Sequence, residues 1–155
     1  MSIKKKGKRP SASAPKVRRP ESEYANTPQS KKYFHNKNIK EQIRYCQEYI
    51  EHPAEYLETI GGVLDGVKDR MSKDEIDGAV ALVNEIQSSS EQFIDKLQVL
   101  TAKAEAFYKK PKDTAFNMTQ ESVALCMELQ ELREEAIGIF INNSGVVNDT
   151  ISKHS

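Results

Sequence analysis

Residues 72–109 read SKDEIDGAVALVNEIQSSSEQFIDKLQVLTAKAEAFYK, and this stretch decides the fold class. Counting from Ile76 in alternating steps of three and four residues, nine of the ten positions up to Phe107 are apolar. Such steps return to one face of an α-helix, so the spacing predicts a helix with a continuous apolar seam. Ser72 and Glu75 form a capping-box pattern at its start, and Pro111 follows its end, which predicts a helix over about 73–109.

The same spacing continues upstream of this segment. Nine of the ten positions stepped from Ile39 to Met71 are apolar residues other than proline, which predicts a helix over about 38–70. Pro53 lies inside that series. Because proline lacks a backbone donor and costs a helix interior about 3 kcal/mol, this helix is predicted either to kink or to split there.

A third series of apolar positions runs from Met118 to Ile139 and predicts a helix over about 119–141. The polar run NNSG that follows is typical of a helix end, because these residues favour turns and caps over helix interiors. Residues 144–155 are therefore predicted to form a flexible C-terminal tail.

Helices joined by short connections predict an all-α protein. The predicted architecture is an elongated antiparallel three-helix bundle or coiled-coil hairpin over residues 38–143. It has a fourth helix if the first one is split. The predicted second helix is about 55 Å long at 1.5 Å per residue, and the predicted third helix is shorter. Part of the second helix's seam is then expected to lack a partner within the chain, which favours self-association or a helical protein partner. The predicted helix-packing or oligomer seam comprises Ile76, Val83, Ile86, Phe93, Leu97, Leu100, Phe107, Leu125, Leu129, Leu132 and Ile139.

The N-terminal residues 1–37 differ from the rest in composition and charge. Residues 1–38 hold eleven Lys or Arg against two Glu, a formal charge of +9, whereas residues 39–155 carry −9. Four prolines interrupt the first 30 residues, and apolar residues are too sparse to offset the entropy of ordering the segment. Residues 1–37 are therefore predicted to be a disordered basic arm.

The cations of this arm form two clusters, which favour contact with nucleic acid. Lys and Arg on a flexible segment neutralise phosphates and release counterions, so binding is expected to depend on salt and little on sequence. An inert solvated tail, a nuclear import signal and an arm that docks on an acidic protein surface are the alternatives. The predicted contact residues are Lys4, Lys5, Lys6, Lys8, Arg9, Lys16, Arg18 and Arg19.

No motif in the sequence indicates a reaction. The chain has no HExxH, no paired CxxC and no phosphate-binding glycine loop, and Glu48 with His52 is too small a set for a metal. We therefore expect no enzymatic activity, no cofactor, no metal and no small-molecule substrate. Cys46 and Cys126 fall in helical apolar patterns and read as buried thiols of a reducing compartment.

These features together predict a helical assembly or adaptor protein that is not an enzyme. Its arm contacts nucleic acid, and its helical body oligomerises or binds a partner, a layout shared by scaffolding and packaging components of virus and phage particles. The alternative is a regulatory module that grips one protein partner through the acidic body. No run of about 18 apolar residues is present, so we expect no membrane span and an intracellular location, cytoplasmic or nuclear, or a place in a virion.

Overall fold

The computed structural model describes residues 28–110 and 115–155, so the predictions made for residues 1–27 lie outside the described residues. Three α-helices make up nearly all of the described chain: α1 spans Pro28–Val67, α2 spans Lys73–Tyr108 and α3 spans Ala115–Lys153. A 3₁₀ turn over Lys68–Arg70 joins α1 to α2. No strand occurs in these two ranges, and the all-α prediction is confirmed.

The helices form an up-down-up bundle. Tyr49 of α1 donates to the carbonyl of Ala136, and Tyr56 further along α1 donates to Asn148 further along α3, so α1 and α3 run parallel. Helix α2 is antiparallel to both, because Lys103 near its end pairs with Glu128 in the first half of α3. Consecutive helices are therefore antiparallel, as the short connections predicted.

The interior is divided into two apolar clusters stacked along the bundle. The first joins the middle of α1 to the second half of α2 and the first half of α3. The second lies at the other end of the bundle, where the α1–α2 turn meets the last turns of α3. The fully buried side chains with the largest volumes come from all three helices and are Ile39, Ile86, Leu129, Val147 and Cys46.

Helix α2 agrees with its predicted bounds and cap. The Ser72 hydroxyl accepts from the amide of Glu75 at 3.1 Å, and the Glu75 carboxylate accepts from the amide of Ser72 at 2.9 Å. Both halves of the capping box are therefore formed, which satisfies two amides that would otherwise lack partners at the helix start.

The predicted end of the third helix is wrong, since α3 continues through the NNSG run to Lys153. Val147 and Ile151 are buried and pack in the second cluster with Ile60 and Met71. Burying each such side chain stabilises the fold by about 1.5–3 kcal/mol, which outweighs the roughly 1 kcal/mol that Gly145 costs a helix. The segment predicted as a flexible tail is therefore the last part of a packed helix.

The predicted start of the first helix is also wrong, because α1 begins at Pro28 and not near residue 38. Proline is tolerated in the first turn of a helix, where amide donors have no intrahelical partner. Two turns after Pro28, the His35 ring packs edge-on against Phe107 with the ring centroids 6.5 Å apart. Residues 28–37, which were predicted to belong to the disordered arm, are therefore part of α1.

Pro53 lies inside α1 without ending it, so of the two predicted alternatives, a kink or a split, the split does not occur and the bundle has three helices. The proline is buried and lies beside Tyr49, Ile86 and Ala136 from all three helices. Tertiary packing of its ring compensates for the missing backbone hydrogen bond.

The predicted seam is covered within the chain. Helix α3 has 39 residues and α2 has 36, so the expectation that α2 outruns its partner is wrong. Seven of the predicted seam residues are buried, namely Ile86, Phe93, Leu97, Leu100, Phe107, Leu125 and Leu129. The other four, Ile76, Val83, Leu132 and Ile139, are partly buried.

Candidate interaction groove

A groove of about 510 Å³ lies on the surface between α1 and α3, near the middle of the bundle. The parallel arrangement of these helices brings two separate stretches of sequence together there. Helix α1 contributes aromatic and polar side chains, and α3 contributes two aliphatic side chains, one aromatic ring and one guanidinium. Its walls are formed by Tyr45, Glu48, Tyr49, His52, Arg133, Ile137, Phe140 and Ile141.

Tyr49 and Phe140 form the floor of the groove. The Tyr49 hydroxyl donates to the carbonyl of Ala136 at 2.9 Å, and its ring packs edge-on against Phe93 with centroids 5.4 Å apart. Burial raises the pKa of Tyr49 to about 12, so this phenol stays protonated near neutral pH. Phe140 packs edge-on against Tyr56 at 5.5 Å, which leaves the floor apolar and rigid.

Two arginines flank Tyr45 at one end of the groove. The Arg44 guanidinium lies 4.7 Å from the centroid of the Tyr45 ring, and that of Arg133 lies 5.3 Å from it. Arg44 also pairs with Glu48 at 2.7 Å, and Arg133 donates to Gln42 at 3.2 Å. These cation–π and hydrogen-bonding contacts fix the orientation of Tyr45, which is 37% exposed.

The α3 wall exposes apolar surface. Ile141, which lines the groove, is 60% exposed, and Val146, further along α3 and outside the lining, is 52% exposed. Residues 136–148 contain no charged side chain, and five of them, Ile141 and Val146 included, are exposed. A long uncharged stretch with exposed aliphatic groups is typical of a surface that contacts another chain segment.

The outer ridge of α1 is acidic. Glu48, Glu51, Glu55 and Glu58 are all exposed and recur at spacings of three and four residues. Glu48 lines the groove itself, so the ridge borders the α1 wall. The charge of the chain is also divided between its two parts. Residues 28–155 carry fifteen Lys or Arg and 21 Asp or Glu, whereas residues 1–27 carry eight Lys or Arg and two Glu.

A second opening, of about 310 Å³, lies between α2 and α3. Lys110 pairs with Glu121 at 2.6 Å across it, and Lys103 pairs with Glu128 at 3.7 Å. Each charge that lines this opening already pairs with an opposite charge across it. The charges of this opening are therefore neutralised, and the groove between α1 and α3 differs from it by its larger apolar surface of aromatic and aliphatic side chains.

Histidines and cysteines are dispersed in the described residues. His52 lies at the groove, and His154 contacts Glu75 at 3.0 Å at the far end of the bundle. Burial raises the pKa of the Cys46 thiol, which donates weakly to the carbonyl of Leu129 at 3.6 Å, and burial also raises the pKa of Cys126. No group of three or more His, Cys, Asp or Glu with metal-binding geometry occurs among the residues that the structure describes.

The predicted site residues and the groove are different sets. The eight arm cations, from Lys4 to Arg19, precede the described residues, and the predicted seam residues lie in the core or partly buried beside it. The groove residues were missed, although Tyr45, Tyr49, His52 and Tyr56 recur at spacings of four, three and four. That aromatic stripe runs beside the core seam of α1 and is the signal that could have indicated a second contact face.

Comparison with known proteins gives no relative: no protein-family model, curated protein or solved structure matches this chain. None of the helices in residues 28–110 and 115–155 is both long and apolar enough to cross a membrane.

Proposed function

We propose that this chain is a helical adaptor that is not an enzyme, whose basic N-terminal arm contacts nucleic acid and whose bundle binds another protein or a second copy. The division of charge is the observation that supports it. Residues 1–27 carry a formal charge of +6 and residues 28–155 carry −6. A phosphate backbone is attracted to the first segment and repelled by the second, so the arm supplies the contact.

Contact by the arm requires no defined base-reading surface. Each Lys or Arg that neutralises a phosphate releases counterions, and the logarithm of the affinity falls by about 0.9 per contact for each decade of salt on duplex DNA. Eight cations in residues 1–27 can supply several such contacts. Binding of this kind is tolerant of sequence, as packaging and scaffolding proteins of virus or phage particles require.

The groove between α1 and α3 supports the second half of the proposal. Its floor is apolar, and its α3 wall exposes Ile141. Because the seam of α2 is buried inside the bundle, a second copy would have to pack on exposed positions such as Val99, which is 59% exposed. The chain would act inside a cell, in the cytoplasm or nucleus, or within a virus or phage particle.

The nucleic-acid half is tested with the full chain and a fluorescent random-sequence DNA duplex, by anisotropy from about 50 to about 200 mM salt. Replacing Lys4, Lys5, Lys6, Lys8 and Arg9 by Ala should lower both the affinity and the salt slope. A matched control replaces five exposed cations of the bundle, Lys37, Lys68, Lys73, Lys96 and Lys109, by Ala. Equal losses in the two variants would contradict a role for the arm, since only net charge would then matter.

A regulatory module that grips one protein through its acidic bundle is the second candidate. The exposed carboxylate ridge of α1 beside the groove favours it, because such a surface fits a basic protein segment. If the full chain shows no salt-sensitive binding to DNA or RNA at about 50 mM salt, this function replaces the first.

A further inference from the structure

The groove between α1 and α3 is apolar at its floor and negative at its border. Glu41 and Glu55 lie seven residues before and after Glu48, and therefore on the same face of α1. On α3, the exposed Glu134 lies one turn before Ile137 of the wall. Of these four carboxylates Glu48 lines the groove and pairs with Arg44, and the cation in the lining, Arg133, is held by Tyr45 and Gln42.

The groove also lies within reach of the chain's own N-terminal segment. From Pro28 to Tyr45 and to His52 the distances along α1 are about 26 Å and about 36 Å at 1.5 Å per residue. An extended segment of about 3.3 Å per residue spans about 30 Å between Arg19 and Pro28, and about 40 Å between Lys16 and Pro28. The second basic cluster, residues 16–19, therefore comes level with the groove if the arm turns back along α1.

The chemistry of this cluster complements the groove. The sequence Lys16-Val17-Arg18-Arg19 places one aliphatic side chain between cations, and Tyr24 follows before the helix begins. Val17 can contact the apolar wall while the flanking cations reach the carboxylates of α1 and α3. Several weak, exposed charge pairs of this kind sum to a contact that salt or a polyanion can displace.

We propose that residues 16–19 of the arm occupy the groove between α1 and α3 of the same chain, and that nucleic acid competes with the groove for the arm. This inference rests on the proposed nucleic-acid contact by the arm. The bundle then acts as an intramolecular polyanion that holds the arm when no nucleic acid is bound. Binding of the arm to nucleic acid uncovers the groove, so the groove becomes available to a protein partner only on the nucleic-acid-bound chain.

The first test is photo-crosslinking of the full chain with a benzophenone amino acid at position 17. Isotopically heavy and light copies are mixed, and cross-linked peptides are identified by mass spectrometry. The expected products join position 17 to the segments around Tyr45 and Ile141 within one copy, and they decrease when duplex DNA is added. Products that join heavy to light copies, or that lie away from the groove, would overturn the proposal.

The second test compares two variants with the same change of charge. In one, Glu48, Glu55 and Glu134 are replaced by Gln. In the control, three exposed carboxylates on α2 are removed by Glu91→Gln, Asp95→Asn and Glu105→Gln. If the border of the groove holds the arm, the first variant should bind DNA about fivefold more tightly than the control. An equal gain in both variants would mean that the bundle only repels DNA.

The two tests separate this inference from the proposed function. A wild-type chain without any DNA binding contradicts the nucleic-acid contact, whereas cross-links to the groove can still be found. A chain that binds DNA through its arm but gives no cross-links in the groove contradicts only the intramolecular contact.

Discussion

At the scale of single residues, two buried polar side chains, Asn143 and Tyr49, are held by specific hydrogen-bond partners. The Asn143 side chain is buried yet donates to Glu85 at 2.9 Å and to the carbonyl of Leu82 at 3.4 Å. Tyr49 likewise gives its hydroxyl proton to Ala136 across the α1–α3 contact. Buried groups of this kind cost free energy unless they are bonded, so each one fixes the register of the helices it joins.

Tyr49 should make the free energy of unfolding sensitive to alkaline pH. Its pKa is raised from 10.0 to about 12 by burial. The buried, protonated phenol therefore contributes fully to the free energy of unfolding below pH 10, and this contribution is lost as the pH rises towards 12. Tyr49→Phe should lower stability near neutral pH by about 1 kcal/mol, because a hydrogen bond is removed, and should reduce the decline above pH 10.

Urea unfolding at several pH values, followed by circular dichroism, measures both effects. Tyr45→Phe is the matched control, since the Tyr45 ring is 37% exposed, and it should change the stability near neutral pH by less than about 0.5 kcal/mol. A decline above pH 10 that is the same in wild type and Tyr49→Phe would contradict the assignment to Tyr49.

At the scale of the helices, the sequence was informative where local chemistry decides the structure. The capping box at Ser72 and Glu75 and the apolar spacing of α2 are local signals, and both predict α2 to within one residue. Helix α3 was predicted too short because the NNSG run disfavours helix locally, whereas Met71 and Ile60, which hold its last turns, are distant in sequence. The groove was missed because it depends on α1 and α3 being parallel neighbours.

The last turns of α3 should contribute to global stability. Val147 is fully buried, whereas its neighbour Val146 is 52% exposed. Val147→Ala should destabilise the bundle by about 2 kcal/mol, from lost burial and the cavity left behind, while Val146→Ala should change stability by less than about 0.5 kcal/mol. Urea unfolding of the two variants checks this; similar small effects would favour the flexible tail predicted from sequence.

The contact of the α2 start with the end of α3 should respond to acid. The amide of Ser72 and the His154 ring both hold the pKa of Glu75 below its ordinary value. A lowered carboxyl pKa stabilises the fold above the unfolded value of about 4.3, and this contribution is lost as the pH falls through the folded value. Glu75→Gln lacks this carboxyl, so its stability should fall less steeply than that of the wild type below about pH 5. Thermal unfolding between about pH 3 and 7 measures this difference.

A matched variant for this acid response is Asp74→Asn, one position earlier in the same first turn of α2. It removes the same charge near the helix start but not the capping-box acceptor. Its acid dependence should stay close to that of the wild type, and a change as large as that of Glu75→Gln would assign the effect to the helix dipole instead.

At the scale of the whole molecule, the three helices depend on one another, because each of the two clusters takes residues from all of them. Leu97 in the α2 seam is 6% exposed, and Val99 two residues later is 59% exposed. Leu97→Asp buries a carboxylate without a partner, so we expect loss of most helical signal at 25 °C, with Val99→Asp remaining folded. Circular dichroism and sedimentation velocity on both variants test this expectation. If Leu97 instead belonged to an oligomer seam, Leu97→Asp would remain helical but would sediment as a smaller species.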